Sequence, residues 1–503
     1  MNLPLAEPLA ASLPAAPIIV PLGAAFLLAL VMRPAPRALV PILVATALAL
    51  GASGAAVACR VFRAGPWLYR LGGWAPPMGI ELVVDELAAL FLLLVTGAMA
   101  VAMLHAAATE RTPGRRGILL CLLAAGSAGW TVTGDLFNLF VFVEITSVAA
   151  IGLAADRRDG AAAAHAFLYL LFASLSATLF LLAVALLYGT LGTLNLAQIA
   201  ASAATLPPRT AGMALAFMVV SFGIKIGMVP LHVWKPGVYA AAGPAASAVF
   251  SGAVLSCAFY GLARVASVIT AGGGPHGGTL SALLLLAGMV NILVGHGMAL
   301  IQRDLNRLLA FSSVAHAGYV LLGFGLGTTA GVAAGLLHAG NHVVMKMAAF
   351  LAVPLLFAPD APAPIARLRG AARRTPFALA LFMIAALALV GVPPTHGFTG
   401  KWGLARAAMA QDRLLPVLVI ATGTVISLAY YARLMVLALR PSVHDAPPPL
   451  PGRRLAVTLV AILALGCVLL GFAAAPAWPA LEAAARRLTD PLSLARLVFP
   501  ETP

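Results

Sequence analysis

Fourteen stretches of this chain are apolar over a length that can cross the ~30 Å hydrocarbon core of a bilayer as a helix. They run roughly 16–33, 38–60, 83–106, 117–134, 136–155, 163–189, 211–233, 243–270, 279–301, 308–328, 329–357, 376–408, 414–439 and 455–475. Hydrocarbon offers no partner to backbone N–H and C=O groups, so such runs must close their hydrogen bonds internally, and an all-α polytopic membrane protein is expected. Only 9% of the 503 residues are charged, which excludes a soluble multidomain protein.

The net charge of +15 lies in short arginine clusters between the runs, without a basic face or aromatic ladder, so no nucleic-acid partner is expected. Assigning the loops alternately to two sides puts seventeen Lys and Arg on one, among them Arg37, Arg111, Arg157, Arg158, Lys235 and Arg374, and about ten on the other. The richer side is expected to be cytoplasmic, with the chain multi-pass in the plasma (inner) membrane and both termini external or periplasmic. The start, MNLPLAEPLAASLP, lacks the cationic n-region of a signal peptide and is expected to stay in the mature chain. Four scattered cysteines form no metal or cluster motif, and no cofactor is expected. Between the runs, 64–82 is rich in Gly, Pro and Trp and reads as an external hairpin or a plain loop, and LNLAQIAASAATL reads as a surface-lying amphipathic piece. The run AGGGPHGG lacks the Lys-Ser/Thr of a phosphate loop.

Against this background the ionisable residues inside the runs stand out: Glu144, Lys225, His316, His338, His342, Lys346 and Lys401. A charge at membrane depth is costly and reads by default as functional, with snorkelling to the headgroups as the alternative for Lys225. Glu144 lies nine residues beyond Asp135, about 13 Å along a helix, near mid-membrane. An ammonium beside it would keep the pair charged, and Lys225 is the natural partner; a protonated carboxyl bonded to a backbone carbonyl is the alternative. His338, His342 and Lys346 recur every fourth residue on one helical face, as a proton wire requires. Zinc fits this pair of histidines poorly, because no further ligand and no glutamate accompany them. His316 is flanked by Ser312, Ser313 and Tyr319, which suit a hydrated relay or a single satisfied interior histidine; His296 is a weaker candidate. Prolines interrupt two runs near a lysine, Pro230 after Lys225 and Pro393–Pro394 before Lys401, as in inverted-repeat transporters with ion sites at broken helices.

The stretches GDLFNLFVFVEI, IKIGMVPLHVWKP, QRDLNRLLAFSSVAHAGY, LLHAGNHVVMKMAAF and GVPPTHGFTGKW, in this order over about 134–402, resemble the antiporter-like subunits shared by respiratory complex I, Mrp cation/proton antiporters and membrane-bound hydrogenases. GGWAPPMGIELVVDELAALF is similar to the D subunit of Mrp antiporters in particular. The resemblance implies fourteen helices with inverted five-helix repeats: an N-terminal segment over 1–115, repeats at 116–270 and 279–440, and a last helix with an amphipathic tail at 441–503. It also implies a Glu144–Lys225 pair, a central axis of His316, His338, His342 and Lys346, a terminal lysine at Lys401, and no redox centre in the chain itself. Asp135, Lys235, Ser256, Ser312, Ser313 and Tyr319 are expected as supporting polar groups.

Two departures stand out. WKPGVY replaces the family's WLPDAH, putting Gly237 in place of an acid and adding Lys235, and Ser256 stands where a bridging lysine is common. The expected function is a proton-translocating subunit of a multi-subunit respiratory, hydrogenase-like or Mrp-like complex, with protons and in the Mrp case sodium as the ions. A structural or anchoring subunit of a hydrogenase, dehydrogenase or inorganic-carbon system is the alternative from another class.

Overall fold

The computed structural model describes residues 12–110, 113–156, 160–357, 363–441 and 452–499. Arg111, Arg157 and Arg158 of the loop-charge count, and residues 1–11, lie outside them. Twelve helices among the described residues are long and apolar enough to cross a membrane. They include α1 (Ala16–Val31), α2 (Leu39–Ala64) and α3 (Glu86–Thr109). Between α2 and α3 the Trp-rich stretch forms an antiparallel hairpin, β1 (Trp67–Arg70) with β2 (Glu81–Val84), Trp67 opposite Val84. There follow α4 (Gly114–Val132), α5 (Leu136–Ala154), α6 (Gly160–Leu191), the short α7 (Leu196–Ser202) and α8 (Pro208–Ile226).

Past α8 the chain turns into α9 (Lys235–Ala242) and then α10, Pro244–Gly272, which contains a π-helical turn at Phe250–Val254. The second half comprises α11 (His276–Leu300), α12 (Leu305–Gly325), α13 (Thr329–Leu356), α14 (Pro376–Val390), α15 (His396–Met409) and α16 (Leu414–Leu439). The chain closes with α17 (Arg453–Thr489) and α18 (Ser493–Val498). Taking α8–α9 and α14–α15 as broken spans, these elements occupy the fourteen expected positions. One boundary differs: α17 does not stop near 475 but runs through Pro476 and Pro479 to Thr489. The helix is packed against α13 and α3, and Arg487 near its end is held by Glu86 of α3 at 2.6 Å.

Two halves of the molecule repeat the same local devices. Asp135 caps α5 by accepting from Asn138 N at 2.7 Å, and Asp304 caps α12 by accepting from Arg307 N at 3.0 Å. Beside each cap the backbone pairs with a later segment: Leu136 N donates to Leu194 O, and Leu305 N donates to Ala363 O, a separation of 58 residues in both cases. Five spans, an odd number, separate the start of α5 from the start of α12. The two caps therefore sit at opposite ends of the bundle, as inverted repeats require.

The breaks match as well. Both α8 and α14 end in a Schellman turn on a left-handed glycine, Gly227 (φ 78°) and Gly391 (φ 84°). Met228 N bonds Gly223 O at 2.8 Å in one turn, and Val392 N bonds Leu387 O at 3.1 Å in the other.

The middle of the bundle is α12 and α13, both buried over most of their length. α11 meets α12 through glycines seven residues apart on each helix, Gly288 and Gly295 against Gly318 and Gly325. A Cβ at Gly295 would stand 2.4 Å from Ala315 N, so only small residues permit this backbone approach.

Candidate functional site

The charged groups of the first half meet where α5 and α8 pass. Lys225, in the last turn of α8, is buried and donates to Ser147 Oγ at 2.8 Å, with Glu144 Oε1 at 3.9 Å. The expected pair is therefore present, as an ion pair at the outer limit of contact with a serine as the closer partner. Glu144 is less enclosed than its sequence position suggested: 31% of its side chain is exposed on the lateral face of α5. The neighbouring exposed residues of that face are Phe137, Val141 and Val148.

The break after Gly227 is satisfied by α11. Asn291 Oδ1 accepts from Val229 N at 2.8 Å, and its Nδ2 donates to Gly227 O at 3.2 Å. Such pairing is what lets irregular backbone persist at membrane depth. The matching break after Gly391 is held by His396, whose ring bonds Cys467 O at 2.7 Å and Asn341 O at 3.1 Å.

Lys235 departs from its sequence-based placement twice. Counted there as a loop charge, it is fully buried, since Pro236 at the first turn of α9 folds it back under the break. Its Nζ donates to Ile226 O at 2.7 Å, the residue before Gly227. Lys401 does the same in the second half, donating to Val390 O at 2.9 Å, the residue before Gly391. The structural counterpart of Lys401 is thus Lys235, not Lys225. At Gly237, where the resemblance sets an acid, the half-buried His165 ring of α6 takes the space: a Cβ there would lie 2.4 Å from its Nδ1, so an acid would require the imidazole to move.

The central residues do come together. His316 Nδ1 and His338 Nε2 are 3.1 Å apart with their rings parallel to within 4°, and His342 packs at 5.7 Å from the His316 ring centre. Lys346 donates to Leu309 O at 2.9 Å. Tyr319 lies under Lys401 Nζ, 4.9 Å from the ring centre, and its hydroxyl is 3.1 Å from His296 Nε2. Ser312 meets Tyr431 at 3.3 Å, and Ser313 meets Ser251 in the π turn of α10 at 2.9 Å. Ser256 bonds within its own helix, to Gly252 O at 2.7 Å. His296, ranked low from sequence, is fully buried between the hydroxyls of Tyr319 and Tyr430, both at 3.1 Å. Sequence reasoning missed Tyr430, Tyr431 and Thr424, the last at 3.4 Å from Lys401 Nζ. Their only signal is a polar hydroxyl within the apolar run that forms α16.

Chemically these are titratable groups, Glu144, Lys225, Lys235, Lys346, the histidines and Lys401, with the lysines held by a hydroxyl and by backbone carbonyls. Buried charges at such spacing feel one another strongly, so protonation of one raises the cost of charging the next.

Sequence comparison bears directly on this geometry. The family model described as NADH:quinone oxidoreductase/Mrp antiporter, TM matches residues 133–427, which contain both breaks and every group just named save Tyr430, Tyr431 and Cys467. The chain belongs to this family. Among its relatives, NADH-quinone oxidoreductase subunit N of Desulforudis audaxviator is 36% identical, covering 92% of this chain and 96% of the relative. The D subunit of a probable K(+)/H(+) antiporter of Rhizobium meliloti is 32% identical over 85% of this chain and 86% of its own. Among solved structures, a chain of the Mrp complex from Dietzia sp. DQ12-45-1b superposes with a TM-score of 0.88 at 26% identity, covering 98% of this chain and 99% of that one. A chain of the membrane-bound sulfane sulfur reductase, an archaeal respiratory membrane complex, gives 0.87 at 28% identity over 96% and 99%. This family member thus keeps the fold across nearly its whole length.

Proposed function

We propose that this chain is a proton-translocating, antiporter-like subunit of a multi-subunit complex in the plasma membrane, with both termini external and the arginine-rich loops cytoplasmic. The observation that carries the reading is the set of titratable groups at the two breaks and between them, from the Glu144–Lys225 pair through the His316–His338 contact to Lys401. The repeats fall at about 116–270 and 279–440, flanked by an N-terminal segment over 1–115 and a last helix with its tail at 441–503. In mechanism, loosening of the Glu144–Lys225 pair changes the charge that Lys225 holds, and the change passes along the lysines and histidines as protons move between neighbours. Partner membrane subunits supply the driving reaction.

The test is proton uptake by proteoliposomes carrying the intact complex. Lys225→Ala should assemble and lose transport by roughly 100-fold, as loss of a proton-transfer group typically does. Transport at the wild-type rate in that variant would end the proposal.

A second reading, the D subunit of an Mrp-type cation/proton antiporter, draws support from the antiporter relative and from the Mrp chain with the same fold. It predicts that an imposed sodium or potassium gradient alone acidifies or alkalises the vesicle lumen, whereas a redox-driven subunit requires its electron donor.

A further inference from the structure

We propose that Lys235 is the proton carrier that joins the two halves of the array. The inference rests on the proton-translocation reading above. Lys235 is fully buried, and among the described residues no carboxylate pairs with it; its ammonium has Ile226 O at 2.7 Å and the Tyr239 ring centre at 5.5 Å. A lysine with no counter-charge inside the bundle is a costly arrangement that needs a use.

Its position supplies one. On one side it lies over Gly227, two residues beyond Lys225, so closely that a Cβ at Gly227 would be 2.9 Å from Lys235 Cδ. On the other side, the Tyr239 ring that it faces packs 6.1 Å from Phe350 of α13, one turn from Lys346, which brings His342 and Lys346 within its electrostatic reach. Two other polar groups along this stretch are unsuited to the step. Asn291 does not change charge, and Ser256 is bonded to Gly252 O in its own helix. His232, on the same loop, is partly exposed and packs its ring against Phe311.

The second half repeats the device with a residue already in the array. Lys401 curls over Gly391 and caps Val390 O as Lys235 curls over Gly227 and caps Ile226 O. In the transfer, the neutral Lys235 amine takes a proton arriving from the Lys225 side. The ammonium then gives it to Lys346 or His342, and the amine is restored.

The experiment uses the intact complex in proteoliposomes and compares wild type, Lys225→Ala, Lys235→Gln, and Lys235→Gln combined with Ser256→Lys. Ser256 is buried one turn from Gly252, which packs on Met347 beside Lys346, so a lysine there offers a titratable group on a neighbouring helix. Lys235→Gln should assemble and transport roughly 10-fold or more slowly, and the double variant should regain most of the wild-type rate. A merely structural loss at the break would not be repaired by an amine on α10. Two outcomes overturn the inference: wild-type transport by Lys235→Gln while Lys225→Ala is inactive, or a double variant as slow as Lys235→Gln. Wild-type transport by Lys225→Ala would instead overturn the underlying reading.

Discussion

Arg264 of α10 and Asp85, the N-cap of α3, form a buried pair in which one guanidinium nitrogen stands 2.6 and 2.7 Å from the two carboxylate oxygens. Asp85 also accepts from Ala88 N at 2.9 Å, so it serves a cap and a charge at once. Removing one member of such a pair strands the other, which costs about 3–5 kcal/mol. Asp85→Ala is therefore expected to aggregate at a clearly lower temperature in detergent, read as loss of the monodisperse peak on heating. Replacing Asp85 and Arg264 together by Leu and Met should cost less, because no lone charge remains. The pair escaped notice in the sequence because each partner lies near the end of an apolar run, where a charge reads as an interfacial anchor. Glu144, Lys225 and Lys346 were legible for the opposite reason: an ionisable side chain in mid-run has few innocent explanations. Lys235 was misread because the prolines on either side of it look like a loop, whereas they bend the chain back inside.

The two broken helices were legible as elements from their prolines, but not which groups face each other across them. That depends on the turn. Gly227 and Gly391 are left-handed, a conformation that costs an L-residue about 1–2 kcal/mol, and both glycines are overlain by a lysine stem. Gly391→Ala would add left-handed strain and bring a methyl to 3.1 Å from Lys401 Cδ, so the lysine stem has to shift by a few tenths of an ångström beside its bond to Val390 O. The expected result is an assembled complex with transport slowed roughly 10-fold, measured in the same vesicles. Gly297 of α11, with open space where its Cβ would go, is the control: Gly297→Ala should leave the rate unchanged. The extent of α17 was not legible, because two prolines usually end a helix and nothing local announces the surface that keeps this one in place.

For the molecule as a whole, the number of spans followed from hydropathy and the inverted repeat from the two proline breaks and the family resemblance, while the paired devices at the caps were not legible. Asp135–Leu136 and Asp304–Leu305 are short matches in otherwise different sequences, and only the backbone pairs beside them show that they are one device used at opposite ends. The symmetry and the loop charges together make a testable orientation. With the native cysteines replaced, including the exposed Cys59, a cysteine at Arg413 should react with a membrane-impermeant maleimide from outside intact cells. One at Arg307 should react only in inverted vesicles; the reverse pattern would turn the protein over. Both positions are exposed, so access to the side chain does not limit the reaction.

Phe137, Val141, Glu144 and Val148 lie along one outward stripe of α5, and the carboxylate in its middle has 31% of its side chain beyond the reach of the chain's own atoms. Some of the solvation of this ion pair is thus set from outside the polypeptide. A lipid tail against the stripe would leave Glu144 in a poor medium for charge, and a polar neighbour would supply a better one. The starting condition of the array is therefore a property of the chain and its neighbour together, and exchanging that neighbour resets it without a single substitution in the chain.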